Sequence, residues 1–106
     1  MSKFKTLLDK ELKNRKISQN KFARMIDVTP TYINSMINGK SGPPDRNLQI
    51  KIANKLGMEG KERYNFFNNI AKEKNEIPSD IYDGIFNSKD NWNRIREILK
   101  KEKIIK

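Results

Sequence analysis

Hydrophobic residues recur along this chain with a helical period. Nowhere do they alternate with polar ones for long enough to make a half-buried strand, so the pattern predicts an all-α fold. Phe4, Leu7, Leu8 and Leu12 fall at i, i+3, i+4 and i+8 and form one face of a first helix, which ends in Lys13, Arg15 and Lys16. Cations there suit the negative end of the helix dipole. Ser18 is placed to cap a second helix through Phe22, Ala23 and Ile26 that stops near Asp27. Thr29 followed by Pro30 predicts a cap with proline at the first helical position. A third helix then runs through Ile33, Met36 and Ile37 and closes at Asn38-Gly39.

The stretch Lys40 to Asp45, rich in Gly and Pro, is a loop. A fourth helix follows with Leu48, Ile52 and Leu56 at steps of four and Gly57 as its terminator. A fifth, starting near Gly60 or Lys61, is expected to turn Tyr64, Phe67, Ile70 and Ala71 inward, with Phe66 beside them. Pro78 and Ser79 restart the chain into a short helix with Ile81, Ile85 and Phe86. After a break over Asn87 to Asn91, a last helix carries Trp92, Ile95, Ile98 and Leu99. Short connections and the absence of a repeat suggest a helical domain over residues 1–57 and a helical extension over 58–106.

At 106 residues the chain can build one core. It has no His and no Cys, which removes imidazole bases, thiolate nucleophiles and the commonest zinc ligands. The carboxylate pairs Asp80 with Asp83 and Glu59 with Glu62 fit helix N-terminal charge better than acid-base work. No catalytic residue, cofactor or metal site is therefore expected. No apolar run approaches the roughly 20 residues that span a bilayer, and the start MSKFKTLLDK has no secretory pattern, so the expectation is a cytoplasmic protein away from membranes. The 23 Lys and Arg outnumber the 13 Asp and Glu, for a net charge of +10. Of this, residues 1–56 carry +8 and residues 57–106 carry +2. Such a field attracts polyanions, although a Lys-rich solvated surface would give the same arithmetic.

The segment from Gln19 to Asn38 solves a packing problem. Two short helices can cross steeply only where a small residue sits at their closest approach, and Ala23 is that residue. Phe22, Ile26, Val28, Ile33 and Met36 close the corner around it. Asp27 falls at the turn, where a positive φ is usual and Asp is better tolerated than most side chains. In these residues, ISQNKFARMIDVTPTYINSMINGKS and onward to NLQIKIANKLGM, the chain resembles the Cro and lambda-repressor type of helix-turn-helix, the XRE-like regulators. The likeness covers about residues 3–57. It rests on Ser-Gln opening the second helix, Phe-Ala within it, Val at the turn, Tyr-Ile in the third helix, Asn-Gly at its end and Ile-Ala-x-x-Leu-Gly closing the fourth. Asp27 stands where that family usually has Gly.

The resemblance implies a compact lambda-repressor-like DNA-binding domain whose recognition helix, about residues 29–38, enters the major groove. Its outer stripe is then Thr31, Asn34, Ser35 and Asn38. With Thr29 these are the candidates for base contacts, Asn34 foremost, because an amide matches the donor and acceptor pair of adenine. No Arg or Lys lies between Met25 and Gly39, so contacted positions should lean toward A·T. Gln19, Lys21, Arg24, Tyr32, Lys40 and Arg46 are candidates for phosphate contacts, which position without specifying. A repressor of this kind reads a near-palindromic operator as a homodimer. Six of the nine aromatics lie in residues 60–106, and Trp92, Ile95 and Leu99 offer a self-association stripe unless they close the monomer core. Two alternatives remain: an antitoxin or phage-type control protein whose C-terminal half holds a protein partner, and nucleic-acid binding without sequence preference.

Overall fold

The structure, a computed structural model, describes residues 3–106. Among the described residues there is no strand. Seven helices follow in order: α1 (Lys3–Asn14), α2 (Gln19–Met25), α3 (Pro30–Ile37), α4 (Arg46–Lys55), α5 (Gly60–Lys74), α6 (Ser79–Phe86) and, after a 3-10 turn at Lys89–Asn91, α7 (Trp92–Lys101).

Local chemistry sets most of the boundaries. The Ser18, Thr29 and Asp45 side chains cap α2, α3 and α4 by accepting from the backbone N–H groups of Lys21, Tyr32 and Leu48 at 3.1, 3.1 and 2.9 Å. Each satisfies an amide that the first helical turn leaves without a partner. Lys16 at the end of α1, Asp27 after α2 and Gly39 after α3 all take a positive φ, of 57°, 57° and 75°. α5 ends in the same way on Asn75.

One core joins the first five helices. Phe4, Leu8 and Leu12 of α1 meet Phe22, Ala23, Ile26, Ile33, Met36, Ile52, Ala53 and Leu56, and from beyond Gly57 it takes in Met58, Phe66, Phe67 and Ile70. Phe66 packs between Phe4 and Phe67, with ring centroids 6.4 and 5.4 Å away. The division at Gly57 read from the sequence therefore passes through this core, because α5 lies against α1 and supplies two of its largest rings.

Two expectations about inward faces are corrected. Tyr64 is 57% exposed. The buried stripe of α5 is Phe66, Phe67, Ile70 and Ala71, and at 100° per residue Tyr64 stands roughly 90° from its centre. Arg63 occupies that centre instead, with its guanidinium 5.2 Å over the Phe67 ring. On α4 the buried stripe is Gln49, Ile52, Ala53 and Leu56, with Gln49 only 2% exposed and Leu48 half-buried.

The last two helices stand apart from the core. α6 buries only Ser79 of its eight residues, and α7 buries none of its ten. The Trp92 indole N–H donates to the Ile85 carbonyl at 2.6 Å and ties α7 back to α6. Among the described residues no helix is long and apolar enough to cross a membrane.

Candidate nucleic-acid interface

α2 and α3 meet at a corner built from the backbone outward. The Ile26 N–H donates to the Phe22 carbonyl and the Val28 N–H to the Ala23 carbonyl, at 3.1 and 3.0 Å, so the chain reverses within three residues. Phe22, Ala23, Ile26 and Ile33 are fully buried at this corner. Their burial holds α3 against α1 and α2 and leaves its opposite face in solvent. Asp27 forms the turn, and its carboxylate lies 2.8 Å from the Lys51 ammonium of α4. That hydrogen bond and charge, and then the charge of Lys55, hold the Asp27 carboxyl below its ordinary value of 3.8.

The exposed face of α3 carries Thr31, Asn34 and Asn38. Gln19, at the start of α2, is brought beside them: Asn34 Nδ2 donates to Gln19 Oε1 at 3.5 Å, and Asn38 Nδ2 donates to Asn34 Oδ1 at 2.5 Å. Three amides are thus chained across two helices by one hydrogen bond between each neighbouring pair. All three are exposed, so a flat edge offering a donor beside an acceptor can replace that pairing. Thr29 uses its hydroxyl for the cap and keeps its methyl group for an apolar contact. Ser35 is set differently from the rest of the predicted stripe. It is half-buried, its Oγ accepts from Ser41 Oγ at 3.0 Å, and its carbonyl accepts the N–H groups of Lys40 and Ser41. It therefore anchors the loop that leaves α3.

Lys21 and Arg24 of α2 and Lys40, just past the end of α3, are exposed. Tyr32 is half-buried against the core, and burial, then the nearby Asp45 carboxylate, raises its phenol above the ordinary value of 10.0. It remains a neutral hydrogen-bond donor at working pH. Arg46 is held by the chain's other half: its guanidinium sits 4.0 Å over the Tyr82 ring and 3.8 Å from the Glu76 carboxylate. A cation missed in the sequence reading joins the site. Lys5 of α1 lies beside Gly39, where a Cβ would meet its Cδ at 3.2 Å. This places an ammonium by the negative end of α3. Its signal is tertiary, since 34 residues separate the two positions.

The predicted self-association stripe lies elsewhere, on α7. Trp92 is exposed, Ile95 and Leu99 are half-buried, and none belongs to the core cluster. Together with Ile85 and Arg96, Trp92 and Ile95 line an open groove between α6 and α7. Among the described residues no group of three or more acidic side chains could hold a metal ion.

No curated protein and no solved structure matched the chain. The helix-turn-helix family model does match, over residues 8–62, more than half of the chain and the span from α1 into α5 that builds this corner. With α2 and α3 capped and packed on each other and a polar face turned outward, the chain belongs to the helix-turn-helix family of XRE type, the DNA-binding transcriptional regulators.

Proposed function

We propose that this protein is a sequence-specific repressor that reads double-stranded DNA with α3 in the major groove. The observation that carries this reading is the outer face of α3. It is exposed, small and polar, it is braced from behind by fully buried side chains, and α3 itself carries no Arg or Lys. Asn34 and Asn38 exchange the hydrogen bond between them, and Asn34 its bond to Gln19, for base edges, and the Thr29 and Thr31 methyl groups meet thymine. Ser35 touches bases only through its helix's first approach, its hydroxyl being engaged with Ser41. Gln19 and the free amides at the start of α2, with Lys21, Arg24, Tyr32, Lys40 and Lys5, hold phosphates. Arg46 contributes there only by leaving Tyr82.

The reader is a homodimer joined through Trp92, Ile95 and Leu99. Two-fold symmetry then calls for a near-palindromic operator with half-sites about 34–36 Å apart. Such a dimer blocks a promoter by occupying it, and it works in the cytoplasm with the DNA it reads. The exposed tail face also suits the second reading, a control protein that grips a different protein. Selecting bound sequences from a random duplex pool tests the proposal. A palindromic, A·T-leaning consensus is expected, whereas equal competition by random duplex at physiological salt would refute sequence-specific reading.

A further inference from the structure

The way the tail is fastened to the body is unusual for a helix rich in isoleucine. α6 exposes Ile81, Ile85 and Phe86 and buries Ser79 instead. Ser79 Oγ donates to Gln49 Oε1 at 2.7 Å, and Gln49 Nε2 donates onward to the Pro44 carbonyl at 2.8 Å. The Lys74 ammonium, from the last turn of α5, reaches the same carbonyl at 3.1 Å. Pro44 belongs to the loop that leaves α3, and that loop is pinned to α3 through Ser41 and Ser35. Hydrogen bonds therefore connect the start of α6, by way of α4, to the exit of the recognition helix.

A joint of this kind does different work from an apolar one. Apolar contact is non-directional and lets a helix slide or rotate with little loss. A buried amide and hydroxyl add little net stability when satisfied, but any arrangement that parts them leaves desolvated groups unpaired. Their cost is steep in angle. Beside the joint the Arg46 guanidinium of α4 lies over the Tyr82 ring of α6, but the buried pair is the directional part of the joint, and the exposed Trp92 indole bond to the Ile85 carbonyl links α7 to the helix so oriented.

We propose that Ser79 and Gln49 are positioning residues that set the angle between the tail and α3, and through it the distance between the two recognition helices of the dimer. The inference rests on the dimeric reading above. It assigns the pair to half-site spacing, not to base choice or to the affinity for one half-site.

The test uses the full chain as wild type, Ser79→Ala and Gln49→Met, the last nearly isosteric but without the hydrogen bonds. Each is titrated with the selected palindrome, with copies whose half-sites are moved by one or two base pairs, and with a single half-site. Linked binding gains about 10²- to 10⁴-fold and loses the gain when geometry forbids simultaneous engagement, so the wild type should prefer its own spacing by about tenfold or more. Both variants should narrow that preference by about threefold or more, with half-site affinity held within about twofold and with helix content and sedimentation unchanged. Variants that keep the wild-type spacing preference overturn the inference. So do variants that lose half-site binding, unfold or dissociate, because the pair would then be merely structural. A wild type that sediments as a monomer and shows no spacing preference refutes the dimeric reading itself, a result distinct from the others.

Discussion

Lys51 on α4 and Asp27 in the turn between α2 and α3 form an ion pair at 2.8 Å, across 24 residues of chain. Asp27 has φ 57°, a conformation that is easiest for glycine and next for Asn and Asp. The Lys51 ammonium gives the turn a reason to hold Asp: the carboxylate ties the corner to α4. Because Asp27 is fully exposed, solvent screens this pair and its contribution is modest.

The pair makes stability depend on pH in a defined direction. The folded-state pKa of Asp27 lies below the unfolded value of 3.8. Its stabilisation is therefore present above that value and is lost as pH falls through the lower folded one. Thermal melts of wild type and Asp27→Gly at about pH 6 and about pH 2.5 test this, and the wild type should lose ground relative to the variant at the lower pH. At about pH 6, about 0.5 M salt should likewise cost the wild type more than the variant. A gap between the two proteins that stays constant across both changes would show that Asp27 serves the turn by conformation alone.

Ala23 is 1% exposed on α2, which packs against α3, and its carbonyl accepts the bond that closes the turn. A larger side chain has nowhere to go. Ala23→Leu should cost about 1–3 kcal/mol in urea unfolding by overpacking the corner. Ile33→Ala, which opens a cavity at a fully buried position, should cost about 2–5 kcal/mol. Both variants should lose DNA affinity in proportion to their unfolded fraction. A folded Ala23→Leu protein of wild-type stability would mean that the two helices do not cross at this residue.

Asn34 and Lys40 should fail in different ways. Asn34→Ala removes a base-reading amide and should cost roughly 1–3 kcal/mol on the selected operator while relaxing preference at one position. Lys40→Ala should weaken all duplexes alike and lower the salt slope by about one. For a dimer that neutralises about 6–10 phosphates, wild-type affinity should fall by on the order of 10³ to 10⁵ between about 50 and about 200 mM salt. Binding isotherms on operator and random duplex at several salt concentrations separate the two behaviours. An equal loss on both duplexes for Asn34→Ala removes it from base reading.

Most of the fold was legible because it is written in local chemistry. Ser18 and Thr29 cap the helices they precede, the stripe of α1 points to the core, and Asp27 takes the positive φ expected of the turn. Legibility ends where a residue's partner lies far along the chain. Periodicity favours Leu48 over Gln49 for the buried face of α4, because a polar residue is priced by its partners, and Ser79 stands 30 residues away. Tyr64 misleads in the opposite way, since an aromatic is read as buried until Phe66 and Phe67 fix the stripe beside it. Spacing alone placed Thr31, Asn34 and Asn38 on the exposed face of α3 but put Ser35 there too, which the loop's return to α3 half-buries. The linkage of that face to Gln19, the company of Lys5 and the turning of Arg46 toward Tyr82 are products of tertiary packing, with no one-dimensional signal.

The α7 face makes the last prediction. Ile95 and Leu99 lie outside the core and, unlike Trp92, offer no side-chain hydrogen bond, so polar replacements of these two should leave the monomer's stability within about 0.5 kcal/mol. Charge favours a second copy as the occupant. α7 carries Arg94, Arg96, Lys100 and Lys101 against Glu97, while α6 carries Asp80 and Asp83 and no cation. In a two-fold arrangement each α7 can lie along the partner's α6, apolar stripe to apolar stripe and cations to carboxylates, and the contact is made twice. Ile95→Asp and Leu99→Asp insert a charge into that stripe. Wild type should sediment as a dimer and these variants as monomers with unchanged melting temperature. Affinity for the palindrome should fall by about 10²- to 10⁴-fold and that for a single half-site should hold, because only the linkage between two modules is lost. If wild type sediments as a monomer and Ile95→Asp binds the palindrome as tightly, the stripe does not join two copies, and its apolar face is left for a different protein.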